Sequence, residues 1–302
     1  MNISSRKPKV SFSSTVIASI RRCLAPTLLV AGFAALAVNA SDASAGIVYK
    51  GWNYAIDSDD DGSGGASYEE RGLAFRQIGS TGYFAISGGM PLTGVTNSGA
   101  GNGSVAPGDL YLNFSSHNLD TQAEFTDERV FGIRFASAND SLGNIGGSNP
   151  TLGLFENLSV VTLTSVNQGY ASLQAYYNAG YGRITGSMGD LSATTNVTNY
   201  FGNGAMYANI ARGDLMSPIG LLNKSALDGL DLDFAHFGAG AVGSEIFGFS
   251  FDLTALPGGK FTAHFFEECI NDGIALYGTV PEPGTLALFG MALAGLTLRR
   301  RR

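Results

Sequence analysis

Only two cysteines occur in the 302 residues, Cys23 and Cys269. Cys23 sits in a basic, apolar leader, so the body of the chain carries one thiol and cannot form an intramolecular disulfide. Basic residues are scarce as well. Over residues 46–280, nine Lys and Arg stand against 23 Asp and Glu, a formal charge of −14. A surface so acidic repels nucleic acid and anionic lipid and attracts divalent cations. Catalytic signatures are absent: there is no HExxH and no GxSxG, and His117, His236 and His264 are scattered. Lone histidines are more often structural than catalytic, and the chain reads as non-enzymatic. The acid pairs Glu69/Glu70, Glu267/Glu268 and Asp231/Asp233 could serve a glycosidase only if two carboxylates converged in a cleft.

Long apolar runs are confined to the two ends. Arg6, Lys7, Lys9, Arg21 and Arg22 precede an apolar stretch from Leu24 to Val38, the parts of a secretory signal peptide. Ala43-Ser44-Ala45 supplies the cleavage site, so signal peptidase is expected to remove 1–45 and leave Gly46 as the first residue, with cleavage after Ala40 as the alternative. At the other end, Pro281-Glu282-Pro283 leads into an uncharged stretch from Gly284 to Leu298, followed by Arg299, Arg300, Arg301 and Arg302. As a helix rising about 1.5 Å per residue, that stretch is a marginal span of a hydrocarbon core about 30 Å thick. Four terminal arginines stay cytoplasmic, which leaves the body on the far side of the membrane; on these residues alone the stretch also reads as an ordinary single-span anchor.

The order Pro-Glu-Pro, short apolar helix and basic cluster resembles the PEP-CTERM sorting signal. That resemblance implies exosortase as a processing partner, a transient inner-membrane insertion of a tail that is later removed, and a Gram-negative cell surface or extracellular destination. A second resemblance, to a class of exosortase-dependent surface proteins, lies in His264 to Ile274, where the class pattern Cys-Gly-Asn-Asp appears as Cys269-Ile270-Asn271-Asp272. The segments Asp57–Gly65, Tyr68, Gly132–Phe135, Ala138–Ser141 and Leu232–Phe234 are similar to that class too. The class implies no enzymatic activity.

Residues 46–280 form one domain. Short alternating runs separated by glycine-rich turns, as in Leu110–Phe114, Phe131–Phe135 and Phe247–Leu253, predict an all-β antiparallel sandwich or jelly roll. Ile47–Ile56 reads as a strand, and Tyr83–Gly88, Val160–Val166 and Tyr207–Arg212 are weaker candidates. Short helices are expected at Ala171–Ala179 and at Ala226–Leu230, the latter capped by Ser225. Gly94–Gly108 reads as a surface loop. Phe247–Cys269 reads as a hairpin turned at Pro257–Lys260, with Phe247, Phe249, Phe251, Phe261, Phe265 and Cys269 facing inward. His264 and Glu268 fall on its other face, so His264 and Cys269 are not paired along the strand.

Asp57-Ser58-Asp59-Asp60-Asp61-Gly62-Ser63 places carboxylates at positions one, three and five of a loop with glycine at six. Hard oxygens around a tight turn suit calcium, with Asp57, Asp59, Asp61 and the carbonyl of Ser63 as ligands; the plainer reading is a solvated acidic turn. Three functions follow in order: a surface or matrix protein of biofilm or floc cohesion; a carbohydrate-binding sandwich in contact with exopolysaccharide; and a secreted glycoside-active enzyme. The second would use Trp52, Tyr54, Tyr176 and Tyr177 as exposed stacking rings. Asn113-Phe114-Ser115, Asn157-Leu158-Ser159 and Asn196-Val197-Thr198 match the N-glycosylation sequon, an accidental match in a bacterial chain.

Overall fold

The computed structural model describes residues 46–58, 65–98, 100–143, 149–162, 178, 187–202, 206–270 and 272–281. The leader, the Ala171–Ala179 helix apart from Asn178, and the tail from Glu282 onward lie outside them. The architecture is mostly β, two antiparallel six-stranded sheets packed face to face. In the first, β1 (Ile47–Tyr49), β2 (Trp52–Ile56), β3 (Glu70–Ile78) and β4 (Thr81–Gly88) form a meander, extended by β12 (Glu245–Asp252) and β11 (Gly220–Asn223). In the second, β7 (Leu110–Asn113), β8 (Val130–Arg134), β9 (Gly153–Thr162) and β10 (Tyr207–Ser217) form another meander, extended from β7 by β13 (Gly259–Phe266) and β14 (Gly273–Val280).

Alternation puts every second side chain between the sheets. Leu73, Phe75, Phe84, Ile86, Phe249 and Phe251 of the first sheet meet Leu112, Ile133, Phe261, Phe265, Ile274 and Leu276 of the second. The Phe247–Cys269 segment therefore has the expected parity but not the expected pairing. β12 is laid along β4 and β13 along β14, each through eight residue pairs. The connection between them crosses from one sheet to the other, burying Leu253 and Leu256 on the way. The rings face each other across the core and are not neighbours in a hairpin.

Four further expectations are corrected. Ile47–Ile56 is two strands, turned at Lys50 and Gly51 with φ of 48° and 80°, the positive-φ pair that a two-residue hairpin needs. Gly94–Gly108 contains its own hairpin, β5 (Val95–Thr96) with β6 (Ser104–Val105), and buries Ala100 and Val105. The late helix begins earlier than expected: α2 spans Lys224–Asp228, capped by Asn223, whose Oδ1 accepts from the Ala226 N–H at 3.0 Å. Ser225 is inside it. Lastly, Trp52 and Tyr54 are buried.

Their burial follows from a covering layer. The outer face of the first sheet carries Trp52, Tyr54, Ala74 and Ala85, and Leu227, Leu232 and Phe234 close over it. Trp52 Nε1 donates to the Leu230 carbonyl at 2.6 Å, and the Asp233 N–H donates to the Tyr54 hydroxyl at 2.9 Å. A Cβ on Gly72 would lie 2.5 Å from the Phe234 ring, so glycine there lets the layer descend onto the strand. The outer face of the second sheet is covered in the same manner. Helix α1 (Thr194–Phe201) and the 3-10 turn at Gln122–Thr126 bring Val197, Tyr200, Phe201 and Phe125 onto Tyr111, Val130, Phe155 and Phe266.

Candidate functional site

At one end of the sandwich, carboxylates converge inside the protein. Glu70 opens β3, and Glu267 follows β13 in the opposite sheet; they are 2 % and 0 % exposed. Their carboxyls face each other within hydrogen-bonding reach. Neither oxygen of Glu267 nor Oε2 of Glu70 meets an N–H or hydroxyl donor, so the contact requires a proton on one of the two. Burial holds both carboxyls well above the ordinary carboxylate range, Asp57 adding to the effect on Glu70 and Glu70 to that on Glu267. A glycosidase holds its two carboxyls apart, at about 5 Å or more, with the sugar between them. Glu70 and Glu267 touch in the core and leave no such space.

One strand face away, Glu268 organises a second buried network. Its Oε1 accepts from the Asp140 N–H at 2.6 Å and from Asn209 Nδ2 at 2.7 Å, and its Oε2 accepts from the Ala106 N–H at 3.0 Å. Asp109 accepts from Asn139 Nδ2 at 2.8 Å, from the Ile210 N–H at 2.7 Å and from the Ser141 hydroxyl. Arg134 Nε donates to Asn139 Oδ1 at 2.8 Å. Burial raises Asp109 to about 6 and Glu268 to about 7. The segment Ala138–Ser141 and the ending around Glu268 thus meet as a latch fastening β7, β10 and β13 together. Asp231 and Asp233 belong to neither network: Asp233 pairs with Lys50 at 3.1 Å, and Asp231 lies 3.8 Å from Arg76.

His264 is fully buried, with its ring stacked on Tyr111 at 5.4 Å and edge-on to Phe201 at 4.9 Å. Burial alone lowers it to about 3, so the imidazole is neutral at any physiological pH. Cys269 is buried as expected, but among Met90, Ala100 and Val105, apart from the main core. The turn carrying it places Ile270 at φ 56°, the left-handed region that the glycine of the class pattern would occupy without strain.

A cleft of about 390 Å³ opens on the covered face of the second sheet. Its floor is a rung of three residues across adjacent strands, Asn113 on β7, Thr262 on β13 and Tyr277 on β14. Helix α1 supplies Asn196, Asn199 and Tyr200 as one wall, and the loop 115–118 supplies the other. Asn113 is held rigidly: Nδ2 donates to the His117 carbonyl at 2.8 Å, and Oδ1 accepts from the Ser115 N–H at 2.9 Å. Sequence reading passed over these residues. Two of the sequon matches, at Asn113 and Asn196, fall in the cleft, but amides dispersed over β7, the loop 115–118 and α1 carry no spacing signal.

Among the expected metal ligands, Asp57 is 6 % exposed, and its Oδ1 accepts from the Gly189 N–H at 3.0 Å and the Ser187 hydroxyl at 3.3 Å. Asp59, Asp61 and Ser63 lie outside the described residues, as do Ala43, Ala45, Glu282, Pro283 and Arg299–Arg302, and Tyr176 and Tyr177 of the proposed stacking rings. Among the described residues, no three acidic, imidazole or thiol side chains are grouped to hold a metal ion, and no helix is long and apolar enough to cross a membrane. Gly46, the expected first residue, immediately precedes β1. β14 ends at Val280, which is buried in the core opposite Gly259, and Pro281 follows, exposed. A proline there constrains its predecessor to extended backbone and has no N–H to continue the ladder. Residues 279–302 match the family model of the PEP-CTERM protein-sorting motif. No curated protein and no solved structure matches the chain significantly.

Proposed function

We propose that this protein, carried out of the cell by the sorting signal at 279–302, works at the surface or in the extracellular matrix as a non-enzymatic cohesion or binding protein. The sorting motif carries the reading: it marks an exported protein processed by exosortase. Placement of the motif fits such processing. Because Val280 completes the last strand and Pro281 lies outside it, cutting the chain near Pro281–Pro283 removes the tail without taking a residue from either sheet. The leader 1–45 is removed by signal peptidase in the same route, and the acidic loop that starts at Asp57 takes calcium outside the cell.

The intact mass of protein extracted from the cell surface tests this. Loss of 1–45 and of the residues after about Pro283 is expected; a surface species retaining Arg299–Arg302 overturns the sorting reading. Deleting the gene and scoring aggregation and matrix composition tests the cohesive role. The neutral polar cleft favours carbohydrate as the material contacted, in place of the buried Trp52 and Tyr54.

A further inference from the structure

We propose that the cleft between α1 and the β7–β13–β14 rung binds a neutral saccharide unit. Its volume of about 390 Å³ lies within the range of roughly 300–1,000 Å³ common to small-ligand sites. Its lining selects the class of ligand. Amides and hydroxyls dominate, with one imidazole, one leucine and two tyrosines, and no carboxylate or ammonium group is among them. A sugar hydroxyl both donates and accepts, which an amide matches with its own two functions. An ionic ligand would find no counter-charge.

Asn118, Asn196 and Asn199 line the cleft and are exposed, and among the described residues their side-chain amides make no hydrogen bond within the protein. Asn196 and Asn199 are three apart on α1 and project to the same side. Tyr277 offers a partly exposed ring on which the C–H face of a pyranose can lie. Its backbone is fixed, the N–H donating to Asp190 Oδ2 at 2.7 Å and the carbonyl accepting from Asn53 Nδ2 at 2.6 Å. The platform is thus formed before any ligand arrives, which lowers the ordering cost of binding. Two charged groups contact the lining: Asp127 stands 4.0 Å from His117 Nε2, and Asp190 Oδ2 accepts from the Tyr277 N–H. Both are acids, and with a body near −14 they disfavour uronates.

This inference rests on the export reading only for where the saccharide is met. Mass measurement tests export and titration tests the cleft, so each can fail alone. Protein recovered from the cell surface is titrated calorimetrically with neutral gluco-, manno- and galacto-oligosaccharides, and with an oligouronate as charged comparator. At least one neutral series should bind with a Kd of about 1 mM or tighter. Asn199→Ala and Tyr277→Ala should each weaken it at least about tenfold. Asn199 is exposed on a helix where alanine is the better helix former, so an unchanged melting temperature separates lost binding from lost fold. If Tyr277→Ala does not fold, Asn118→Ala replaces it. No binding of any neutral series at about 10 mM, ten times that Kd, overturns the proposal. So does parental affinity in the variants, or tighter binding of the oligouronate.

Discussion

Glu70 and Glu267, from opposite sheets, meet in the core with their carboxyls in hydrogen-bonding contact and with no donor at either oxygen of Glu267. Two carboxylates cannot both ionise there, since each would remove the other from water without neutralising it. The contact joins the sheets only while it holds a proton. It is therefore a seam whose strength depends on pH, at the end of the sandwich from which the latch of Glu268 also springs.

Stability should fall as pH rises. A carboxyl whose folded pKa exceeds its unfolded value contributes fully below the unfolded pKa, near 4, and loses that contribution as pH climbs through the folded pKa. Glu70 and Glu267 are raised well above 4.5, Asp109 and Asp190 to about 6, and Glu268 to about 7. His264, lowered to about 3, acts oppositely: its contribution is present above pH 6.5 and is lost below it. One histidine against five carboxyls leaves the carboxyls dominant, so stability is already falling at pH 5 and continues to fall to pH 8. A tenfold gain in a carboxyl's proton affinity on folding is worth about 1.4 kcal/mol. Melting curves from pH 5 to 8 should descend, and Glu267→Gln, whose amide donates to Glu70 without needing a proton, should descend less and melt above the parent at pH 8. A melting temperature that rises over this interval sinks the account.

Phe135 ties the two sheets through its ring, stacked on Phe249 of the first at 5.3 Å and edge-on to Phe265 of the second at 5.8 Å. All three are fully buried. Truncating Phe249 or Phe265 to alanine should cost about 3–5 kcal/mol. Because both face Phe135, the double variant should cost less than the sum of the singles. Chemical denaturation measures both effects.

Ile270 sets packing against backbone strain. A β-branched residue in the left-handed region costs about 1–2 kcal/mol, which glycine would relieve. The Ile270 side chain is 1 % exposed, however, and packs in the cluster beneath α1. Removing a buried isoleucine costs about 2–5 kcal/mol, so burial outweighs strain and Ile270→Gly should lower the melting temperature. An increase would mean that the turn gains more from glycine than the cluster loses.

Strand parity was legible because period two shows directly in runs such as Phe247–Leu253. Pairing was not, since β12 and β13 are adjacent in sequence and equally suited to pairing with each other, whereas the structure lays each along a different strand, β4 and β14. Trp52 and Tyr54 illustrate a second limit. Their outward parity was readable, but the layer over them comes from residues 227–237, about 180 positions away. The cleft and the Glu70–Glu267 seam are harder still, each assembled from strands far apart in the chain. The sorting signal was readable because its parts are contiguous in the chain, at 279–302.

Calcium at the acidic loop is the remaining expectation, and the structure decides which variants test it cleanly. Asp57 carries the loop's first carboxylate, but that carboxylate also accepts from Gly189 and Ser187. Asp57→Ala would therefore weaken the fold with or without an ion. Asp59→Ala and Asp61→Ala are the informative changes. Binding to the folded state stabilises it by RT ln(1 + [L]/Kd), about 2.7 kcal/mol at a hundredfold excess over Kd. Surface-extracted protein should melt higher in millimolar calcium than in chelator, the difference should shrink in both variants, and magnesium should substitute poorly because it demands stricter octahedral geometry. Equal melting temperatures with calcium and with chelator at low ionic strength would leave Asp57–Asp61 as an acidic turn anchored at its first residue.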